Sequence, residues 1–283
     1  MPDQHRPRIA TTRAGLRAAL AGAPRPIGLV PTMGALHDGH RALLERARRE
    51  NATVVATIFV NPMQFDNAAD LAAYPRTEAG DLAICGEAGV DLVFMPGGDE
   101  VYPPGFDTTV HVDRLTRGLE GEHRPGHFDG VATVVAVLLN LAGAERAYFG
   151  QKDAQQLLVV RRMAADLAIP TEVIACPTVR DRDGLAISSR NVRLTPAQRA
   201  AAPVLHRALR AAEAAWRAGE RSGDALRRAM LDALAAEPLA DPEYVSVAEP
   251  ATLREVDEAT GPVLLSMAVR FGEIRLIDNL PLA

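Results

Sequence analysis

Residues 27–40 read Ile27-Gly28-Leu29-Val30-Pro31-Thr32-Met33-Gly34-Ala35-Leu36-His37-Asp38-Gly39-His40, and the run Arg41 to Glu50 that follows is helix-like. A short apolar strand that ends in a glycine-containing turn and feeds a helix is the opening unit of a parallel α/β sheet. Such a turn aims backbone N–H groups and the positive end of a helix dipole at one point, where phosphate is stabilised. Gly34 and Gly39 permit close backbone approach, and His37 and His40 offer ring donors to phosphate oxygens. Two histidines three positions apart also suit a metal, but zinc needs a third and fourth ligand and no cysteine lies near them. A pair of incidental surface histidines is the remaining alternative.

Outward from this stretch, Thr53–Val60, Leu92–Met95 and Ala147–Phe149 repeat the pattern of a short apolar run flanked by a longer Ala/Leu/Arg/Glu stretch. That alternation predicts a Rossmann-like, doubly wound parallel sheet buried on both faces by crossover helices. Ligands in such sheets bind beyond the carboxyl ends of the strands. The chemistry is therefore expected in Pro31–His40, Asn61–Phe65 and Gly150–Gln156. Glu172–Ala175 predicts a last strand, and the polar loop Arg180–Arg193 follows it. The spacing places a domain boundary there, with residues 1–178 as the ligand-binding domain and 179–283 as a smaller α+β lid. Thr195-Pro196 has N-cap and N1 chemistry for a long helix over Ala197–Ala218, a second helix covers Gly223–Ala236, and Tyr244–Ala248, Val263–Met267 and Glu273–Ile277 read as strands.

At 283 residues the chain is long enough for two domains, and its net charge of −5 leaves no basic field for nucleic acid. Anionic substrates must then be held by a few local cations. Cys85 and Cys176 are the only cysteines and are far apart, which argues against a disulfide framework or zinc site and fits a reducing cytoplasm. Met1 to Ile9 is polar and lacks the apolar core of a secretory signal. The uncharged stretch Gly130–Ala144 is too short for a membrane span and reads as a buried core helix.

Each strand end carries its own polar cluster. Asn61 either caps its turn or meets ligand, whereas Gln64, between Met63 and Phe65, suits a small hydroxylated molecule in an apolar pocket. Gly150-Gln151-Lys152-Asp153 opens a helix. Lys152 is placed to meet phosphate, and Asp153 is either a ribose acceptor or an N-cap. Ile187-Ser188-Ser189-Arg190 follows a flexible run near the boundary, so two hydroxyls and a guanidinium can wrap a triphosphate, unless the segment is a polar linker. His123–Gly130 reads chiefly as a turn into the uncharged helix, with Arg124 and His127 as open candidates. Tyr74–Thr77 is a turn and helix start, with Asp81 a candidate metal-side carboxylate. No Ser/His/Asp arrangement, GxSxG or Walker motif supports a protein nucleophile or a P-loop.

Taken in series, Pro31–His40, Asn61–Phe65, Tyr74–Thr77, Arg124–Phe128, Phe149–Gln156 and Ser188–Asn191 make the sequence resemble the pantothenate synthetases, the pantoate:β-alanine ligases. The histidine turn alone is shared across the wider nucleotidyltransferase and class I synthetase superfamily; six motifs in order over nearly the whole chain are specific. The resemblance implies a Rossmann-like domain with a smaller covering domain, usually as a homodimer, and condensation of pantoate with β-alanine by ATP and Mg²⁺ through a pantoyl adenylate. It implies an ATP site of Pro31, Thr32, Met33, Gly34, His37, Gly39, His40, Gly150, Lys152, Asp153, Val179, Ile187, Ser188, Ser189 and Arg190, with His40 the proton donor. It assigns pantoate and β-alanine to Gln64, Gln156, Asn61 and Met33. His37, His40, Lys152 and Arg190 are then the expected catalytic groups. The alternative within the superfamily is a nucleotidyltransferase acting on a phosphorylated acceptor. Gln151 stands where the family usually has Glu, Ala154 replaces a larger residue, Ile187 often is Met, and Gly80 removes a second acid beside Asp81.

Overall fold

The computed structural model describes residues 5–65 and 68–283, so the first four residues of the polar Met1–Ile9 segment lie outside the described part. Six parallel strands form the main sheet: β1 (Arg8–Ala10), β2 (Ile27–Thr32), β3 (Thr53–Ile58), β4 (Leu92–Phe94), β5 (Arg146–Gly150) and β6 (Glu172–Cys176). Their order is β1-β4-β3-β2-β5-β6. The chain winds in one direction from β2 through β3 and β4 and in the other through β5 and β6. The switch point is between β2 and β5.

Pairing differs on the two sides of β2. With β3 it runs the full length, from Ile27↔Thr53 to Thr32↔Ile58, whereas with β5 it covers only Gly28↔Arg146 and Leu29↔Ala147. Pro31, which has no N–H, therefore falls where the β5 side of the strand is no longer paired. The splay opens a crevice at the carboxyl edge.

Apolar residues on both faces hold the sheet. Ile27, Leu29, Val55 and Phe94 pack with the His127–Ala142 helix on one face, and Val30, Val54, Ala56 and Tyr148 pack with Leu43, Leu44 and Ala47 of the Asp38–Glu50 helix on the other. Each large side chain buried in this way stabilises the fold by about 1.5–3 kcal/mol. The uncharged stretch is the core helix expected, beginning three residues earlier than Gly130.

A second core begins at Leu185 and runs to Leu282. It joins helices Val204–Arg217 and Gly223–Ala235 to an antiparallel sheet of β7 (Asp241–Ala248), β8 (Val263–Phe271) and β9 (Ile274–Leu282). The single helix expected over Ala197–Ala218 is instead two, Pro196–Ala201 and Val204–Arg217. Pro203 explains the break, because it has no N–H to donate back into the preceding turn. Strand β1 has no counterpart in the sequence reading. Its three residues show one buried side chain, Ala10, and leave Ile9 52% exposed.

Candidate active site

A cavity of about 250 Å³ occupies the crevice, with the turn after β2, the turn after β3, the start of the helix after β5 and the 187–193 loop as its walls. It brings together Pro31, Thr32, Met33, His37, His40, Asn61, Gln64, Lys152, Asp153, Gln156, Ile187, Ser188, Ser189 and Arg190. Gly34, Gly39, Gly150 and Val179 are not part of its wall. The Val179 carbonyl accepts the Ile187 N–H at 3.0 Å and so shapes the loop from behind.

The turn after β2 is built differently from a ring of free amides. Gly34 N–H donates to Thr32 Oγ1 (3.2 Å), Ala35 N–H to Asp81 Oδ2 (3.0 Å) and Leu36 N–H to Asp81 Oδ1 (2.8 Å). His37 N–H donates to His40 Nδ1 (3.3 Å), and Gly39 N–H to His37 Nδ1 (3.2 Å). Five main-chain donors of the turn are thus engaged within the protein, which corrects the expectation that they converge on phosphate. Gly34 (φ +82°) and Ala35 (φ +51°) both adopt left-handed backbone, and a Cβ on Gly34 would sit 3.0 Å from Asp81 Oδ2.

Asp81, expected as a metal-side carboxylate, is not among the residues that line the cavity. It is 2% exposed and also accepts the Thr77 hydroxyl at 3.1 Å, so both its oxygens fasten the strained turn. Its carboxylate faces the part-buried N–H groups of Ala35 and Leu36, which replace the water it has lost. Among the described residues, no group of three or more His, Cys, Asp or Glu side chains is arranged to hold a metal.

The same bonds fix the histidine tautomers. With Nδ1 of each ring accepting a main-chain N–H, the proton of each neutral imidazole is on Nε2. Burial lowers the His37 pKa, with Lys152 adding to the effect. Burial, then the His37 ring, brings His40 down to about 3. Both are neutral single donors near pH 7.

Asn61 carries four hydrogen bonds. Its Oδ1 accepts the Met63 N–H (3.3 Å) and the Tyr102 hydroxyl (2.7 Å), while Nδ2 donates to Gln64 Oε1 (3.0 Å) and Gly130 O (3.1 Å). Its bonding capacity is filled. This residue caps the turn and orients Gln64, the capping role that the sequence offered beside a ligand contact. With one lone pair of Oε1 taken by Asn61, Gln64 keeps its two N–H donors and a second lone pair for a ligand. The Gln64 carbonyl accepts from His127 Nδ1 (2.8 Å) and Arg124 (3.3 Å), so Arg124 and His127 belong to the site as well as to the turn. Gly130 lets the helix lie against this turn: a Cβ there would be 2.2 Å from Met63 O.

Lys152 is 16% exposed and lies 3.5 Å from Asp153 Oδ1. The Asp153 side chain makes no capping bond to its helix. Burial pushes its carboxyl up, but Lys152 and Arg190 more than offset this and hold it below its usual value. Ser188 caps the 189–193 turn by accepting the Arg190 N–H at 3.3 Å, and Ser189 and Tyr74 both line the cavity. Sequence reading did not assign the apolar wall of Phe59, Val131, Val134, Val135, Leu138 and Phe149 to the site. The signal was present in the helix, where 131, 134, 135 and 138 share one face.

Fold and site together define an enzyme of the Rossmann-like α/β class, with its cavity at the carboxyl edge of a parallel sheet. The chain belongs to the pantoate-beta-alanine ligase family, whose sequence profile matches residues 8–281. It is 61% identical over 255 residues to the pantothenate synthetase of Chloroflexus aggregans, covering 89% of this chain and 92% of that protein. The Roseiflexus castenholzii pantothenate synthetase is 56% identical over 272 residues, covering 96% and 98%. Among solved structures, a pantothenate synthetase from Thermus thermophilus superposes with a TM-score of 0.93 at 52% identity, covering 96% and 98%. A Francisella tularensis pantoate-beta-alanine ligase complexed with beta-gamma ATP and beta-alanine gives 0.79 at 32% identity, covering 97% of each chain.

Proposed function

We propose that this chain condenses pantoate with β-alanine in two steps, forming a pantoyl adenylate from Mg·ATP and then transferring the acyl group to the amine, with release of pyrophosphate and AMP. The observation that carries the reading is the polarity of the cavity. Neutral Nε2–H donors of His37 and His40, the Lys152 ammonium and Arg190 flank one part of it, and the N–H donors of Gln64 lie beside an apolar wall. The first set suits a triphosphate and the second a small branched hydroxy acid. The magnesium ion travels as part of the nucleotide, since the only carboxylate singled out for it, Asp81, is engaged elsewhere.

In the first step the pantoate carboxylate attacks the α-phosphorus and the bond to the β-phosphate oxygen breaks. Catalysis of this displacement is mainly in-line positioning and stabilisation of charge moving onto pyrophosphate. His40, with a pKa near 3 in the free protein, acts there as a hydrogen-bond donor rather than as the proton donor the family resemblance implies. Ser188, Ser189, Ile187 and Asp153 complete the nucleotide contacts, and Met33 and Gln156 join Gln64 around the acid. In the second step the β-alanine amine attacks the acyl carbon, AMP leaves, and exclusion of water by residues 179–283 protects the mixed anhydride. We extend the proposal to a homodimer, as the family resemblance implies, in a reducing cytoplasm, as the cysteine usage implies.

Product analysis tests the reaction. Pantoate-dependent pyrophosphate release, with free AMP accumulating only after β-alanine is added, is the expected result. Pyrophosphate release indifferent to pantoate would instead favour transfer of a nucleotide to a phosphorylated acceptor.

A further inference from the structure

One side chain of the second lobe reaches into the first and grips the segment that carries Lys152. Asn279, 4% exposed in β9, donates through Nδ2 to the main-chain carbonyls of Gln151 (2.9 Å) and Lys152 (2.8 Å). Gln151 returns the contact, its Nε2 donating to Asn279 Oδ1 at 3.2 Å. Both carbonyls belong to the single 3-10 turn Gln151–Asp153, whose Gly150 cap supplies no side chain to brace it. Asn279 itself is held firmly. It sits mid-strand opposite Ser266 of β8, and its N–H donates to Asp278 Oδ1 at 2.8 Å.

Asp278 extends the grip to the other nucleotide-facing segment. It is 2% exposed and forms a two-pronged ion pair with Arg180 (2.6 and 2.9 Å), which also donates to Gly184 O at 3.1 Å. The 180–186 hairpin so fixed leads directly into Ser188, Ser189 and Arg190. Adjacent residues of one strand therefore tie down the roots of both Lys152 and Arg190.

We propose that Asn279 is a positioning residue for Lys152: by binding the two carbonyls of the 151–152 turn it sets the direction of the ammonium toward the nucleotide phosphates. The Gln151 amide, in place of the acid usual at that position, keeps the clasp itself uncharged. The inference rests on the assignment of Lys152 to phosphate made above. A misplacement of about 1 Å in a group that stabilises a transferring phosphoryl costs on the order of 10²-fold. The clasp is of that kind, acting on geometry without touching substrate.

The test is a double-mutant cycle on the full chain, read by calorimetric ATP affinity and by steady-state kinetics. It uses Asn279→Ala, Lys152→Ala and the double variant, with Asn279→Asp as an isosteric second replacement that drops both donors. The expected result is a loss of roughly tenfold or more in ATP affinity and in kcat/KM for ATP from Asn279→Ala, less than twofold when Lys152 is already Ala, and a β-alanine KM within twofold of the parent. Equal losses in both backgrounds, an unchanged ATP affinity in both Asn279 variants, or a β-alanine KM that rises in step would overturn the positioning role. If Lys152→Ala alone leaves ATP affinity and turnover intact, the phosphate assignment of Lys152 fails, and this inference fails with it. That outcome is separate from a silent Asn279.

Discussion

The His37 and His40 rings lie 4.1 Å apart and tilted by 34°, each with Nδ1 bound to a main-chain N–H of the same turn. Sequence reading supplies the two residues but not this reciprocal capping, which makes each ring half structural and leaves one N–H free to act. If that N–H on His40 stabilises the transferring phosphate, His40→Ala lowers adenylate formation by about 10²-fold or more. Exchange of labelled pyrophosphate into ATP measures the step without β-alanine, and an unchanged rate would remove His40 from catalysis.

The same geometry predicts a pH signature. With folded-state pKa values below 6.5, and about 3 for His40, the native protein binds fewer protons than the unfolded chain between those limits. Stability from these rings is therefore complete above pH 6.5 and is lost as pH falls toward 3. Urea unfolding at about pH 7 and about pH 5 should show that loss, and His40→Gln should reduce it. Nitrogen NMR should find both rings as Nε2–H tautomers, with the His40 ring not titrating between about pH 6 and 8.

Asp81 offers a clean contrast between fastening and metal binding. Asp81→Ala leaves the part-buried N–H groups of Ala35 and Leu36 without an acceptor, at about 1 kcal/mol each. The variant should melt earlier and bind ATP more weakly, while the magnesium concentration for half-maximal rate at saturating ATP stays where it was. A shifted magnesium requirement with unchanged stability would restore the metal role.

Gln64→Ala should weaken pantoate far more than ATP. Tyr102→Phe, which acts from behind the cavity wall, should do the same more gently by releasing Asn61. Calorimetry with each substrate separately measures both effects, and an equal loss of the two affinities would mean the acid lies elsewhere.

Between the lobes, Glu120 accepts from Arg275 at 2.6 and 2.7 Å and from the Tyr244 hydroxyl at 2.9 Å. Burial pushes its carboxyl up, yet these partners, Arg275 foremost, hold it below its usual 4.5. Its contribution is present above that pH and fades as pH falls lower. Glu120→Ala leaves Arg275 with Glu243 as its remaining carboxylate and takes the acceptor from the Tyr244 hydroxyl, so thermal unfolding should reveal a loss of about 1–3 kcal/mol.

The sequence made the sheet legible because Ile27–Val30, Thr53–Val60 and Ala147–Phe149 are apolar on both faces and end in polar clusters. Strand β1 escaped notice because Arg8-Ile9-Ala10 buries one side chain of three and depends on β4 for its pairing. The site residues were legible one segment at a time. What local sequence does not carry is which polar atoms satisfy one another. Asp81 is 45 residues from the amide of Leu36, and Asn279 is 127 from the carbonyl of Lys152. Only the folded topology brings such groups into register.

Asn61 has a practical consequence for altering what the enzyme accepts. Because all four of its bonds are made before any substrate arrives, a designer who mutates position 61 or 102 gains no new contact and only loosens Gln64. The adaptable surface is the apolar wall, where Val134, Val135 and Leu138 present methyl groups that can be trimmed or enlarged one carbon at a time. Libraries seeking bulkier or slimmer acids belong on that helix face.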